Sequence, residues 1–476
     1  MKQILSSALV LLFLSGCTLG PDYIRPKVLT PESHRGASPT AESLADLPWW
    51  EVFKDPKLQE LTREALKNNY DLRAAAARVE EARAQIGITR SFLYPQVDVR
   101  GSGTTQQVSR KSEPPQTLAA HDRTFRNLSL ALNMVWELDV FGKIRRETEA
   151  ATATFIATDM ARRGVYISLV ADVAQNYFTL RQLDLELEIA RRTVGLNDET
   201  VEYYRNRLDG GVSNQLELDQ SVANRARTAQ TIPELERQIV QQENLINYLL
   251  ARNPGPIDRG IVLTDQYYPP AVPAGLPAAL LERRPDVLSA EQQLVAANAN
   301  IGAAKALFFP DISINTAVGG LSRNINIADK RAAIWAVSGG FFQPIFQGWR
   351  LFWNYKGTMA RFDEALAQYE KAAQNGFKEV ADSLVTIEKL KGVRAEQEAQ
   401  VAALANSSTL SRHRYDVGLA NYLEVLIADQ QLFDAEILLA RTRGAELNAV
   451  AQLYRALGGG WDEMAAQTSQ TSSASQ

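Results

Sequence analysis

The chain says nearly the same thing twice. Asp71 and Asp286, Gly87 and Gly302, and Pro95 and Pro310 are each separated by 215 positions. A constant offset across three landmarks indicates an internal duplication, so whatever one copy builds, the chain builds twice. In each copy a helical run meets an aromatic–proline pair, Tyr94-Pro95 or Phe309-Pro310, and alternating apolar and polar residues follow. Helical periodicity giving way to a period of two predicts a helix that turns into a strand at that pair.

The N-terminus narrows the setting. Lys2 precedes an apolar run, Ile4 to Leu14, too short to span a bilayer and shaped like the core of a signal peptide. Leu14-Ser15-Gly16-Cys17 resembles a bacterial lipobox, which makes residues 1–16 a signal peptide and Cys17 the lipidated N-terminus. Thr18, in place of Asp, favours sorting to the outer membrane. Cys17 is the single cysteine, so no disulfide forms within the chain. Beyond residue 20 no apolar run reaches transmembrane-helix length, so any crossing must be made by strands. Net charge is −4, with both signs scattered and no Lys/Arg block, which excludes a nucleic-acid surface. His34, His121 and His413 lack metal-ligand spacing, and no phosphate loop or nucleophile motif is present. We therefore expect no enzyme, catalytic residue, metal or cofactor beyond the covalent lipid.

Residues 17–56 read as an extended tether, with Trp49-Trp50 plugging the helix that follows. The first repeat, 57–253, is expected to hold one helix from Leu58 to Phe92 and strands over about 95–112 and 124–139. In the second strand Leu128, Leu130, Leu132, Met134 and Trp136 share one face and mostly polar residues the other. We read the apolar face as lipid-facing. A helix from Lys143 to about Leu208 would be roughly 100 Å long if unbroken. It carries two apolar seams, Val170-Val173-Tyr177-Leu180-Leu187-Val194, interrupted at Asp184, and Leu169-Leu183-Ala190, as a helix packed on both sides requires. After a turn at 209–214 a return helix runs to Arg252, broken at Pro233, with Thr231 and Glu234 capping the restart. Residues 254–276 are the crossover. The second repeat, 277–460, is expected to hold a helix to Leu307, strands over about 310–322 and 331–347, a long helix to Tyr415, a turn at 416–421 and a return to Leu457. Gly211 and Gly418, 207 apart, mark matching turns. Residues 461–476 read as a disordered tail.

Four strands per chain cannot close a barrel, for which about eight is the minimum. Because an open sheet edge is untenable in hydrocarbon, membrane-inserted strands require association, and two, three or four copies would each allow closure.

Motifs along the chain resemble the TolC-type outer-membrane factor family, in its OprM-like (NodT-type) lipoprotein branch. They are Cys17 with Leu19-Gly20-Pro21-Asp22-Tyr23, Trp49-Trp50 through Asp55-Pro56, Tyr177-Phe178-Thr179-Leu180-Arg181, Pro233-Glu234-Leu235-Glu236, Pro273-Ala274-Gly275-Leu276-Pro277, Arg283-Arg284-Pro285-Asp286, and Ala297-Asn298-Ala299 to Phe309-Pro310. The resemblance implies a mixed α and β membrane protein, a homotrimer with a twelve-stranded β-barrel in the outer membrane and a periplasmic α-barrel of long coiled helices. Its implied role is a passive exit duct of a tripartite efflux system for drugs and other small toxic compounds. Its partners would be a periplasmic adaptor (membrane fusion) protein, a proton-driven inner-membrane transporter and outer-membrane lipid. A duct for protein secretion uses the same fold, and a lipid-anchored periplasmic scaffold is a different class. The turns, Gly210-Gly211-Val212 and Val417-Gly418-Leu419, match the adaptor-docking position. Tyr415, Asp416 and Glu424 match the aperture gate, whereas Ala420 and Ile427 stand where some members carry a charged gate residue. The same salt-bridge lock is therefore not implied; Asp416 and Asp429 could substitute in it, but the expectation is that they are solvated or capping residues.

Overall fold

The computed structural model describes residues 18–35, 44–107, 109, 124–268, 275, 277–322 and 329–459. The expected signal peptide 1–16, Cys17, His121 and the expected tail 461–476 lie outside the described residues. Helices α1 (Trp49–Val52), α2 (Pro56–Asn68) and α3 (Tyr70–Ser91) precede strands β1 (Gln96–Gln107) and β2 (Thr124–Leu138). Helices α4 (Lys143–Asp209), α5 (Gln215–Ala229) and α6 (Thr231–Leu249) follow. The second copy runs α7 (Pro277–Arg283), α8 (Pro285–Ala306), β3 (Asp311–Ser322), β4 (Ala333–Phe342), α9 (Arg350–Asp416) and α10 (Tyr422–Ala456). The duplication is legible in the lengths, because α4 and α9 are both 67 residues long and α3 and α8 both 22.

Several boundaries differ from expectation, each for a local reason. The helix expected over Leu58–Phe92 is divided at Asn69. Its side-chain oxygen accepts from the Asp71 and Leu72 amides at 2.9 and 3.1 Å, the capping geometry that asparagine prefers to a helix interior. The helix expected from Pro277 to Leu307 is divided at Arg284, because the residue before a proline is pushed out of helical geometry and Pro285 opens α8. In the first hairpin the break falls at Gln230, ahead of Pro233, but the expected cap is absent. Thr231 Oγ1 donates back to Thr228 O at 2.7 Å, and Glu234 holds Arg237 and Gln238. Strand β4 stops at Phe342, short of the expected 347, where Gln343-Pro344 removes a ladder donor. Strand β1 is described only to Gln107, short of the expected 112.

The repeats are not the compact units. One unit takes its described residues from 1–27, 78–158 and 289–369, and the other from 28–77, 159–288 and 370–459. The first, the sheet unit, holds all four strands in the order β1-β2-β3-β4, every neighbour antiparallel. It also corrects the tether, since residues 18–25 are bound to it. The Leu19 amide donates to Phe141 O at 3.3 Å, and Arg146 reaches both Leu19 O at 3.1 Å and Asp22 at 2.9 Å. Asn298 donates to Pro21 O at 2.9 Å, and Arg25 pairs with Glu291 at 2.9 Å. Gly20 and Gly302 meet backbone to backbone, so closely that a Cβ on Gly20 would lie 2.4 Å from the Gly302 Cα.

The helical unit has the larger core. Trp49 and Phe53, Leu58 and Leu61, Ile246, Val380, Leu447 and Tyr454 are buried together, and both seams expected along α4 enter the same cluster except at Val194, with Leu187 packed against its margin. Trp49 is thus a core residue as well as a plug. At its centre Asp55, 1% exposed, caps α2 by accepting from the Lys57 and Leu58 amides at 2.9 and 3.5 Å. The same carboxylate accepts from Tyr177 Oη at 2.8 Å, the Ile261 amide at 3.0 Å and Gln266 Nε2 at 2.8 Å. Burial, reinforced by the bond to Asp55, pushes the Tyr177 phenol above its ordinary range. One buried carboxylate therefore joins α2, α4 and the segment after α6. Asp55→Ala would leave those donors unpaired, at a cost of about 3 kcal/mol, and should lower the thermal unfolding midpoint of the purified protein by several degrees. An unchanged midpoint would refute the assignment.

Candidate functional site

Two regions have the character of functional surfaces, one in each compact unit. In the sheet unit the register sets every residue on one of two faces, because directly paired residues share a face. Val99, Leu132, Val318 and Trp335 form one continuous row, and Val97, Met134, Thr316 and Val337 the next. Trp136 pairs with Ile314, and Leu130 with Gly101 and Gly320. Leu128 ends the series between Gly103 and Ser322. Val99, Leu132, Val318, Trp335 and Val337 are each at least half exposed. A soluble sheet would bury such a face against a second layer.

The opposite face is mostly polar along β1 and β2, with small or apolar residues such as Ala317, Ile334 and Ala336 where β3 and β4 continue its rows. Arg100 pairs with Asp98 at 3.0 Å, Ser102 with Ser129 at 2.7 Å, and Asn133 and Asn315 lie among them. Leu128 and Leu138 are ten residues apart, or roughly 34 Å along an antiparallel strand. At a barrel tilt of about 40° that projects to roughly 26 Å, the height of an outer-membrane apolar band. The ladder uses β2 and β3 on both sides, whereas β1 and β4 each keep one edge unpaired within the described sheet. Where the strands end, Phe141 stacks against Phe309 at 5.0 Å, and Trp136 Nε1 donates to Leu93 O at 3.0 Å.

In the helical unit the two turns have the same backbone. Gly211 and Gly418 take φ values of +73° and +77°, where a side chain is strained. The Val212 amide reaches Arg207 O at 2.9 Å and the Leu419 amide reaches Arg414 O at 2.8 Å. The Gly211 and Gly418 amides reach Leu208 O and Tyr415 O at 3.0 and 2.9 Å. These paired bonds close each helix as a Schellman motif. Gly210, which precedes the left-handed residue, bonds to Asn206 O at 3.1 Å. Asn214 and Asn421 cap the return helices through the Glu217 and Glu424 amides at 3.0 and 3.2 Å. Val212, Val417 and Leu419 are 65%, 54% and 71% exposed.

The three expected gate residues do not form one cluster. Tyr415 packs against Tyr204 and Tyr422, with centroids 5.8 and 6.1 Å away, and burial pushes the Tyr422 phenol up to about 12. Asp416 is exposed and accepts from Tyr203 Oη at 3.5 Å. Glu424 lies on the far side of the turn, 4.0 Å from Arg414. Asp429 is neither solvated nor a cap, because it holds Arg412 at 2.7 Å and Ser408 and so braces α9 against α10. Sequence reasoning missed Tyr203, Tyr204, Tyr422 and Arg207. The available signal was a cluster of tyrosines flanking both turns, at 203, 204, 415 and 422.

Comparison with known proteins agrees with this geometry. The family described as "Outer membrane efflux protein" matches residues 61–252 and 276–459, one segment for each repeat. The chain is 34% identical over 457 residues to the cation efflux system protein CusC of Escherichia coli K12, covering 95% of this chain and 98% of that one. It is 34% identical over 477 residues to the toluene efflux pump outer membrane protein TtgF of Pseudomonas putida, covering 95% and 96%. The open state of the Neisseria gonorrhoeae MtrE outer membrane channel superposes with a TM-score of 0.83 at 29% identity, covering 94% and 99%. The chain belongs to the outer membrane efflux protein family, as a channel protein of the outer membrane with its helical part in the periplasm.

Proposed function

We propose that three copies of this chain close their sheets into one twelve-stranded barrel and act as the passive exit duct of a tripartite efflux system. The observation that carries this reading is the four-stranded sheet with an exposed apolar face and two unpaired edges. Lipid accommodates the face, and only another copy satisfies the edges. The polar face then lines the lumen, where hydrated solutes pass. Relatives named for cations and for toluene match this chain over 95% of its length, so the substrates of this chain are small toxic compounds, chosen upstream by the transporter rather than by the duct.

The remaining assignments follow from the two units taken separately. Cys17 carries the lipid, which suits the binding of the next residues, Thr18 to Asp22, beside the strand end at Phe141. The periplasmic adaptor docks on the exposed apolar turns Gly210-Gly211-Val212 and Val417-Gly418-Leu419. A proton-driven inner-membrane transporter supplies the energy. Tyr415 is the closing residue of the aperture, with Asp416 tied to Tyr203 beside it and Glu424 facing Arg414 across the turn.

Leu132→Arg should cost about 2–4 kcal/mol at mid-bilayer and deplete the protein from outer-membrane fractions. Asn133→Arg, one residue along and on the opposite face, should leave its abundance unchanged. Equal recovery of the two variants would remove the lipid-facing assignment. At the other end, Gly418→Trp should raise accumulation of a fluorescent efflux substrate in cells while full-length channels persist. Parental accumulation would exclude Gly418 from docking.

A further inference from the structure

The two turns are copies in backbone but not in side chains. Arg207 and Arg414 stand 207 positions apart, and each donates through Nη2 to a carbonyl within its own turn, Val212 O and Leu419 O, at 3.4 Å. There the likeness ends. Arg414 is half exposed and faces Glu424 across 4.0 Å. The Arg207 guanidinium carbon lies 5.4 Å from the centre of the Tyr203 ring and 5.6 Å from that of Tyr415. Its Nη1 donates to Tyr203 Oη at 2.8 Å, and that hydroxyl donates onward to Asp416 at 3.5 Å. Arg207 Nε is buried without a hydrogen-bond partner, as expected of a guanidinium held by ring faces and carbonyls.

We infer that Arg207 is the positioning residue of the aperture: its guanidinium, clamped between Tyr203 and Tyr415, ties the turn of the first repeat to that of the second. The inference rests on the reading of Tyr415 as the closing residue. The second turn can move away from the first only if the Tyr415 ring leaves the cation and Asp416 leaves Tyr203. A guanidinium suits the task because it is planar, stacks on rings and still forks to two oxygens, whereas an ammonium is a single solvated point charge. Arg414, held in water near one carboxylate, contributes no such tie. The duplicated position therefore supplies its own control.

The test is conductance of full-length channels reconstituted in planar bilayers, with assembly checked by native electrophoresis and thermal midpoint. Arg207→Met should raise the open fraction roughly tenfold, the shift that loss of one partly desolvated cation–π contact supports. Arg207→Lys should move it in the same direction, Arg414→Met should leave it at the parental level, and Tyr415→Ala should open the channel as Arg207→Met does. Parental conductance in Arg207→Met with an open Tyr415→Ala channel overturns the role of Arg207 and leaves the gate reading intact. Parental conductance in both overturns both, and equal opening by Arg207→Met and Arg414→Met reduces Arg207 to a general turn residue. Should Arg207→Met fail to assemble, Arg207→Lys decides the matter, parental conductance again overturning the proposal.

Discussion

Backbone hydrogen bonding in a medium without water is the constraint on which the rest depends. A strand edge in hydrocarbon has nothing to satisfy its amides and carbonyls, and the described sheet has two such edges, on β1 and β4. Everything around the sheet serves to bring those edges to another copy in register. The apolar rows share one face, the strand ends are locked by Phe141 on Phe309, and residues 18–25 bind the joint between β2 and α4 to α8. Association here completes secondary structure as well as buries surface.

The helical unit meets a different demand, that of holding long helices in fixed register. Apolar seams alone permit sliding, because one leucine fits a neighbouring hole almost as well as the next. Buried polar groups do not permit it. Asp55 with its five donors sets where α2 and α4 meet, and Arg284 sets the end of α10 by donating to Ala456 O at 2.7 Å while pairing with Asp286 and Glu379. Near the turns Asn197, Asn224, Thr228 and Gln430 form a buried polar layer across α4, α5 and α10. Each removes a group from water, and each tolerates one alignment only.

How much of this was legible follows from what sequence periodicity can report. The duplication, the four strands, the greasy face of β2 and the positions of both turns were visible, because pattern and glycine placement are local. The helix break at Asn69 was missed, since a single polar residue within an apolar-periodic run looks like a surface position, whereas the break at Arg284 had a local signal in Pro285 that the helical periodicity around it overrode. Binding of residues 18–25 was missed for a related reason: extended chain rich in proline reads as a tether unless its partners, here Arg146, Glu291 and Asn298, are known to lie beside it. The asymmetry between Arg207 and Arg414 was only half visible: Tyr203 stands four positions before Arg207 where Leu410 stands before Arg414, but the approach of Tyr415 to Arg207 is set by the fold.

The way the compact units cut across the repeats bears on how the protein is made. The sheet unit includes β4 and the start of α9, and the helical unit ends with α10, so neither is complete until both copies are present. The first repeat emerging alone would hold β1 and β2 without β3, and α4 without α10. A chain built this way completes neither unit copy by copy: the sheet waits for β3 and β4, and the helical core waits for α10, even though the Asp55 network lies entirely ahead of the second copy. A chain cut between the copies would therefore leave both units unfinished, not one whole and one missing.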